Sequence, residues 1–173
     1  MDPSIELDNS YEALKGLEGL YEINRKGCVR NIKTKRVKAW EITAKGYCRV
    51  DLPIDGKWRH MRVSRLVAIL FIPNPGNLPE VDHHSGVRTD NSVENLRWCT
   101  RSNNLRNRRT MNRAGYRGVC KISNRFRAHY RADGRNVYLG CYTTAEEAGR
   151  AVDRYCDSIN DEFTPRNFIV GCQ

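Results

Sequence analysis

The chain has 173 residues, with 30 Lys and Arg against 20 Asp and Glu for a formal net charge of +10, and 39% apolar residues. That excess points to a polyanionic partner, nucleic acid first; a membrane partner is not expected, because the longest apolar stretch, LVAILFI at 66–72, is far too short to span a bilayer. Seven scattered cysteines with no Cys-x-x-Cys exclude a zinc knuckle and a secreted disulfide scaffold, and the polar opening MDPSIELDNS carries no signal-peptide pattern, so the expected setting is intracellular, cytoplasmic or nuclear.

The length and modest apolar content suit several small modules of an α+β chain. Residues 10–62 read as a β module. GLEGLYEINRKGCVRNIKTKRVKAW alternates apolar and polar residues between glycines, and GYCRVDLPIDGKWRHMRV reads as a hairpin closed by Asp55-Gly56. Val63, Leu66, Val67, Leu70 and Phe71 stand at helical spacing, predicting a helix over 63–71 that Pro73 and Pro75 end. EVDH and LRWCT read as short strands flanking the polar loop SGVRTDNSVEN, and RSNNLRNRR begins a basic helix.

Residues 114–168 read as a separate unit. In Arg125–Arg131, Phe126, Ala128 and Tyr130 alternate with Arg125, Arg127, His129 and Arg131, predicting one apolar and one cationic strand face. Asp133-Gly134 is the expected turn, and Val137, Leu139 and Cys141 are expected to line one face of the next strand. Thr144 and Glu147 form a capping box. It opens a helix with an apolar stripe of Ala148, Ala151, Val152, Tyr155, Ile159 and Phe163. The result is a small sheet on one helix with its cationic face to solvent. Between 101 and 135 there are eleven Lys and Arg against one acid, Asp133, interleaved with Tyr, Asn and His on one face. That pattern fits a sheet laid in the major groove of double-stranded DNA.

The stretch VDHHSG at 81–86 carries the chemistry. Phosphodiester hydrolysis needs an activated water, and a neutral His can take its proton. It also needs a stabilised leaving oxygen, which a hard divalent cation on oxygen ligands can supply. Asp82 and an Asn on the following helix offer such ligands. An isolated Asp-His pair is commonly structural, but here the series continues through Asp90-Asn91, Asn95-Leu96-Arg97-Trp98 and Asn103-Asn104.

Over about 80–107 this series resembles the HNH nucleases of the ββα-metal type, in particular homing and nicking endonucleases encoded in introns and phage genomes. GLEGLYEINRKGCVRNI also resembles the β module that precedes such domains, and IPNPGNLPEVDH is a typical approach to the motif. The resemblance implies an HNH domain over 63–110 that cuts double-stranded DNA as a monomer or dimer, using Mg²⁺ or Mn²⁺. It implies His83 as general base, with Asn95 bracing the loop and orienting the base. Asp82 and Asn104 are the implied metal ligands. Asn91 is read as holding the loop, Trp98 as core, and Arg97 as either a phosphate contact or structural. His84, Val87 and Ser64 depart from the family pattern, and His84 is read as a bystander.

GYRGV, YLG, TAEEA, AVD and NF within 115–168 are similar to the Apetala-2/ethylene-response-factor DNA-binding domain. By position this implies DNA contacts from Arg117, Lys121, Arg127, His129, Arg131, Asn136 and Tyr138. Cys120, His129 and Asn136 depart from that family, so its GC-rich target is not carried over. Together the resemblances imply a metal-dependent endonuclease with a built-in DNA reader, carried by a mobile element, phage or virus. The alternative is a DNA-binding regulator that keeps a degenerate HNH module; a third reading is an RNA-binding or RNA-cleaving protein.

Overall fold

The computed structural model describes residues 10–108, 114–132 and 134–168. Asp133 of the expected turn, Cys172 and residues 109–113 of the basic stretch lie outside them. The chain divides into two units, 10–99 and 100–168, both mixing small antiparallel sheets with helices. Among the described residues no helix is long and apolar enough to cross a membrane.

The first unit opens with β1 (Tyr11–Ala13), β2 (Tyr21–Asn24) and β3 (Val29–Asn31), an antiparallel meander in that order. A second three-stranded sheet follows: β4 (Glu41–Ile42), β5 (Cys48–Ile54) and β6 (Lys57–Arg62). The β5–β6 hairpin turns at Asp55 (φ 51°) and Gly56 (φ 69°); the paired positive angles are those a two-residue turn needs to match strand twist. Helix α1 (Val63–Phe71) has the expected bounds and buries Val63, Leu66 and Val67. These three meet Leu14, Ile23, Val29, Val50, Leu52 and Leu96 in one core. The core therefore crosses from the expected β module into the segment expected to hold the chemistry.

On that core sits a two-stranded sheet, β7 (Glu80–His83) and β8 (Leu96–Cys99), with Asp82 opposite Arg97 and His83 opposite Leu96. The connecting loop ends in a single 3₁₀ turn, Val93–Asn95. The backbone of Gly27 presses against it: a Cβ there would stand 2.8 Å from Val63 Cγ1 and 3.0 Å from Asn91 Cβ, at φ +83°. Only glycine fits so close an approach at that angle. The Val93 N–H donates to the Arg25 carbonyl at 2.9 Å, tying the loop to the same turn.

The second unit begins with α2 (Arg101–Arg106), capped by the Thr100 side chain on the Asn103 amide. Strands β9 (Val119–Ile122), β10 (Arg125–Ala132) and β11 (Arg135–Tyr142) form an antiparallel sheet with β10 in the centre. Helix α3 (Ala145–Ser158) packs on it, opened by the expected capping box between Thr144 and Glu147. The core holds Val119, Ala128, Tyr130, Ala148, Ala151, Val152 and Cys156.

Three expectations need correction here. A bulge shifts the β10–β11 register between Ala128 and His129, so Ala128 faces Gly140 while His129 faces Tyr138. Beyond it Tyr142 joins Val137 and Leu139 against the core, and Cys141 pairs with Arg127 on the outer face. The apolar stripe of α3 stops short of Ile159, which follows the helix and is 43% exposed; Cys156 takes the core position instead. His129 is half-buried rather than solvent-facing, and its Nδ1 is buried without a hydrogen-bond partner among the described residues.

Candidate active site

The two ends of β7 and β8 and their loop bring five of the singled-out residues together: Asp82, His83, Asn91, Asn95 and Arg97. Asp82 and His83 are each 4% exposed, Asn91 and Asn95 each 6%. Arg97 approaches Asp82 Oδ2 through both Nε (3.0 Å) and Nη2 (2.9 Å). Arg97 thus neutralises the buried carboxylate from the facing strand, as its structural reading expects. Trp98 donates its ring N–H to the Ile72 carbonyl at 3.0 Å, with Arg65 stacked on its ring at 4.7 Å, a packing role as expected.

Asn95 holds the loop. Its Oδ1 accepts the Ser85 N–H at 2.9 Å, and its Nδ2 donates to the carbonyls of Asp90 (2.8 Å) and Val87 (3.3 Å). Its carbonyl accepts the His84 N–H at 2.8 Å. The amide facing the His83 ring is that of Asn91, whose Oδ1 lies 3.3 Å from Nε2. The two asparagines thus divide the work expected of Asn95. His84 is exposed, as is Val87, and Ser64 is buried at the start of α1.

Burial holds the His83 pKa below its ordinary value, against the opposing pull of the Asn91 hydrogen bond and the charge on Asp82. The ring is thereby kept neutral near pH 7, the form that can accept a proton. Tyr47 leans on it, ring centroids 5.8 Å apart. Two guanidiniums in turn stack on Tyr47, Arg62 at 4.5 Å and Arg88 at 4.9 Å. These three residues carry no motif; their signal in the sequence is only the interleaving of basic and aromatic residues.

Asn104, the expected second ligand, stands half-buried on α2 in the second unit. Among the described residues no group of three His, Cys, Asp or Glu is placed to hold a metal. In the first unit the Asp82 carboxylate is the hard-oxygen donor that the loop offers a divalent cation.

In the second unit the outer face of the sheet carries Arg127, Arg131, Asn136 and Tyr138, all exposed, with half-buried His129 opposite Tyr138. Two expected contacts lie elsewhere. Lys121 pairs with Phe126 in the register and so belongs to the side facing α3. Arg117 is half-buried and donates from Nη1 to the carbonyl of Arg106 at 3.1 Å, closing the end of α2. Arg106 itself donates to Tyr130 Oη at 2.8 Å, and Tyr130 donates to Asp161 at 2.6 Å. Neither polar chain could be read locally, because partners lie up to 31 residues apart.

A family model described as HNH endonuclease matches residues 63–106. The DNA endonuclease I-HmuI of Bacillus phage SP01 is 35% identical over 117 residues, 66% of this chain and 67% of that protein. An uncharacterized HNH endonuclease of Acanthamoeba polyphaga mimivirus is 31% identical over 85 residues, 49% of this chain and 26% of its own length. A solved structure of I-HmuI, described as showing DNA binding and cleavage by the HNH homing endonuclease, aligns with a TM-score of 0.53 at 26% identity, covering 87% of this chain and 83% of that one.

Proposed function

This chain belongs to the HNH endonucleases, and from that membership we propose that it hydrolyses phosphodiester bonds in double-stranded DNA, in the manner of a homing endonuclease. The observation that carries the reading is the buried Asp82-His83 pair on β7, with its loop bound at three points by Asn95. In this reading neutral His83 takes a proton from the attacking water. Asp82 would hold a divalent cation, Mg²⁺ or Mn²⁺, through a carboxylate oxygen, and Asn104, assigned by motif order alone, through an amide oxygen; such a cation would supply charge stabilisation to the leaving 3′ oxygen. Products carry 5′-phosphate and 3′-hydroxyl ends. Arg62 and Arg88, stacked on Tyr47 beside His83, set the positive field that draws in the phosphate.

The modules of the reading are a β module over 10–62, the HNH segment over 63–110, and an Apetala-2/ERF-type DNA reader over 114–168. The reader presents Arg127, His129, Arg131, Asn136 and Tyr138 to the major groove. Support comes from the three-stranded sheet backed by one helix and from the exposed cationic face. The relatives' hosts, a phage and a giant virus, suit a mobile or viral gene. The test is duplex binding and cleavage measured side by side, with Mg²⁺ or Mn²⁺ against chelator. Cation-dependent cutting with 5′-phosphate ends is expected; duplex binding without cutting in any cation returns the regulator reading.

A further inference from the structure

The Asn91 side chain does more than hold its loop. Its Nδ2 donates to the Thr89 carbonyl at 3.1 Å. A carbonyl oxygen only accepts, so this bond settles which end of the amide is nitrogen. Oδ1 is then the atom that faces the His83 ring, 3.3 Å from Nε2. An amide oxygen cannot donate. Of the two neutral forms of the ring, only the one with its hydrogen on Nε2 makes this bond. The other sets two lone pairs against each other between two buried side chains, where water is a poor substitute.

Burial adds a mechanical constraint: Asn91 is only 6% exposed, which leaves its side chain little room to swing away from the ring. Asn95 does not share this duty, since its three side-chain hydrogen bonds all go to loop backbone.

We propose that Asn91 is a positioning residue that holds neutral His83 in its Nε2–H tautomer, so that the proton-accepting lone pair is presented on Nδ1. The proposal rests on the reading of His83 as the base. It assigns Asn91 a role in turnover that its place in the loop alone does not require. Which ring nitrogen is protonated is set by the bond the other makes, and a base with its lone pair on the wrong nitrogen cannot serve.

The test starts with ¹⁵N NMR of the wild-type ring, its signals assigned by comparison with His83→Ala. A protonated Nε2 and a bare Nδ1 are expected; a wild-type ring protonated on Nδ1 overturns the proposal, whatever any variant does. Asn91→Leu keeps the bulk without an acceptor. It is expected to mix the tautomers and to lower the cleavage rate constant by at least about tenfold, with duplex affinity unchanged, out of the roughly 10²–10⁴ a general base contributes. Asn91→Asp keeps an acceptor oxygen and is expected to retain the Nε2–H tautomer and to cut faster than Asn91→Leu. An Asn91→Leu protein that keeps both the tautomer and the wild-type rate overturns the inference. His83→Ala separates the two levels. If it cuts like wild type, the reading of His83 as base falls; if it is inactive while Asn91→Leu is fully active, only the role of Asn91 falls.

Discussion

Replacing Asn95 with Ala removes three hydrogen bonds at once, to the Ser85 amide and the Val87 and Asp90 carbonyls. The side chain is 6% exposed, so its own polar atoms have little access to water in the folded state. The residues it binds are less sheltered: Ser85 is half-buried, and Val87 and Asp90 are exposed. The freed Ser85 N–H and the Val87 and Asp90 carbonyls can turn to solvent, which keeps the cost near the ordinary net value of about 1 kcal/mol per bond, roughly 3 kcal/mol in all. For a chain of this size each kcal/mol moves the melting point by about 2–4 °C. The expected fall is therefore about 6–12 °C in the transition to which residues 10–99 contribute, followed by circular dichroism or calorimetry. Duplex affinity through the second unit should change little, while cleavage drops because the loop no longer holds His83. A melting point within about 2 °C of wild type would refute the assignment of Asn95 as the brace of this loop.

Other outcomes follow from the same geometry. Arg97→Ala strips the buried Asp82 carboxylate of its cation; since Arg97 keeps some solvent access, a loss of about 2–3 kcal/mol is expected, and adding Asp82→Asn to the same chain should recover most of it in denaturant melts. Arg117→Ala should lower stability by about 1–2 kcal/mol, because Arg117 closes the end of α2, and should leave the salt dependence of duplex binding unchanged. Arg127→Ala should do the reverse, reducing the salt slope by about one with little effect on melting. Burial, reinforced by the charge of Arg127, holds the His129 pKa below its ordinary value. On acidification the unfolded chain therefore takes the proton first, so the stability of the neutral ring is complete above about pH 6.5 and is lost as pH falls below it. Melting curves of wild type and His129→Gln should converge between pH 7.5 and 5.5.

What the sequence shows best is what neighbouring residues decide among themselves. The α1 spacing, the Asp55-Gly56 turn and the Thr144–Glu147 box are local chemistry, and the structure has all three where expected. So is the strand–loop–strand frame of Asp82, His83 and Asn95. Its illegible part depends on register and distant burial. A one-residue bulge moves Cys141 to the outer face of the sheet and Tyr142 to the inner. Lys121 and Arg127 both read as cationic strand residues, yet pairing puts them on opposite sides. Arg117 reads as a DNA contact by position, while its hydrogen bond to the Arg106 carbonyl bears no sequence mark. Asn91 and Asn95 are the same residue type four positions apart, and only the three-dimensional loop tells the ring-facing amide from the loop-binding one.

That His83 is the base of a DNA endonuclease is tested most directly on supercoiled plasmids carrying candidate target inserts, with Mg²⁺ or Mn²⁺, wild type beside His83→Ala. Relaxed or linear product is expected from wild type alone, with duplex binding equal in the two proteins. Equal cutting by both would contradict it.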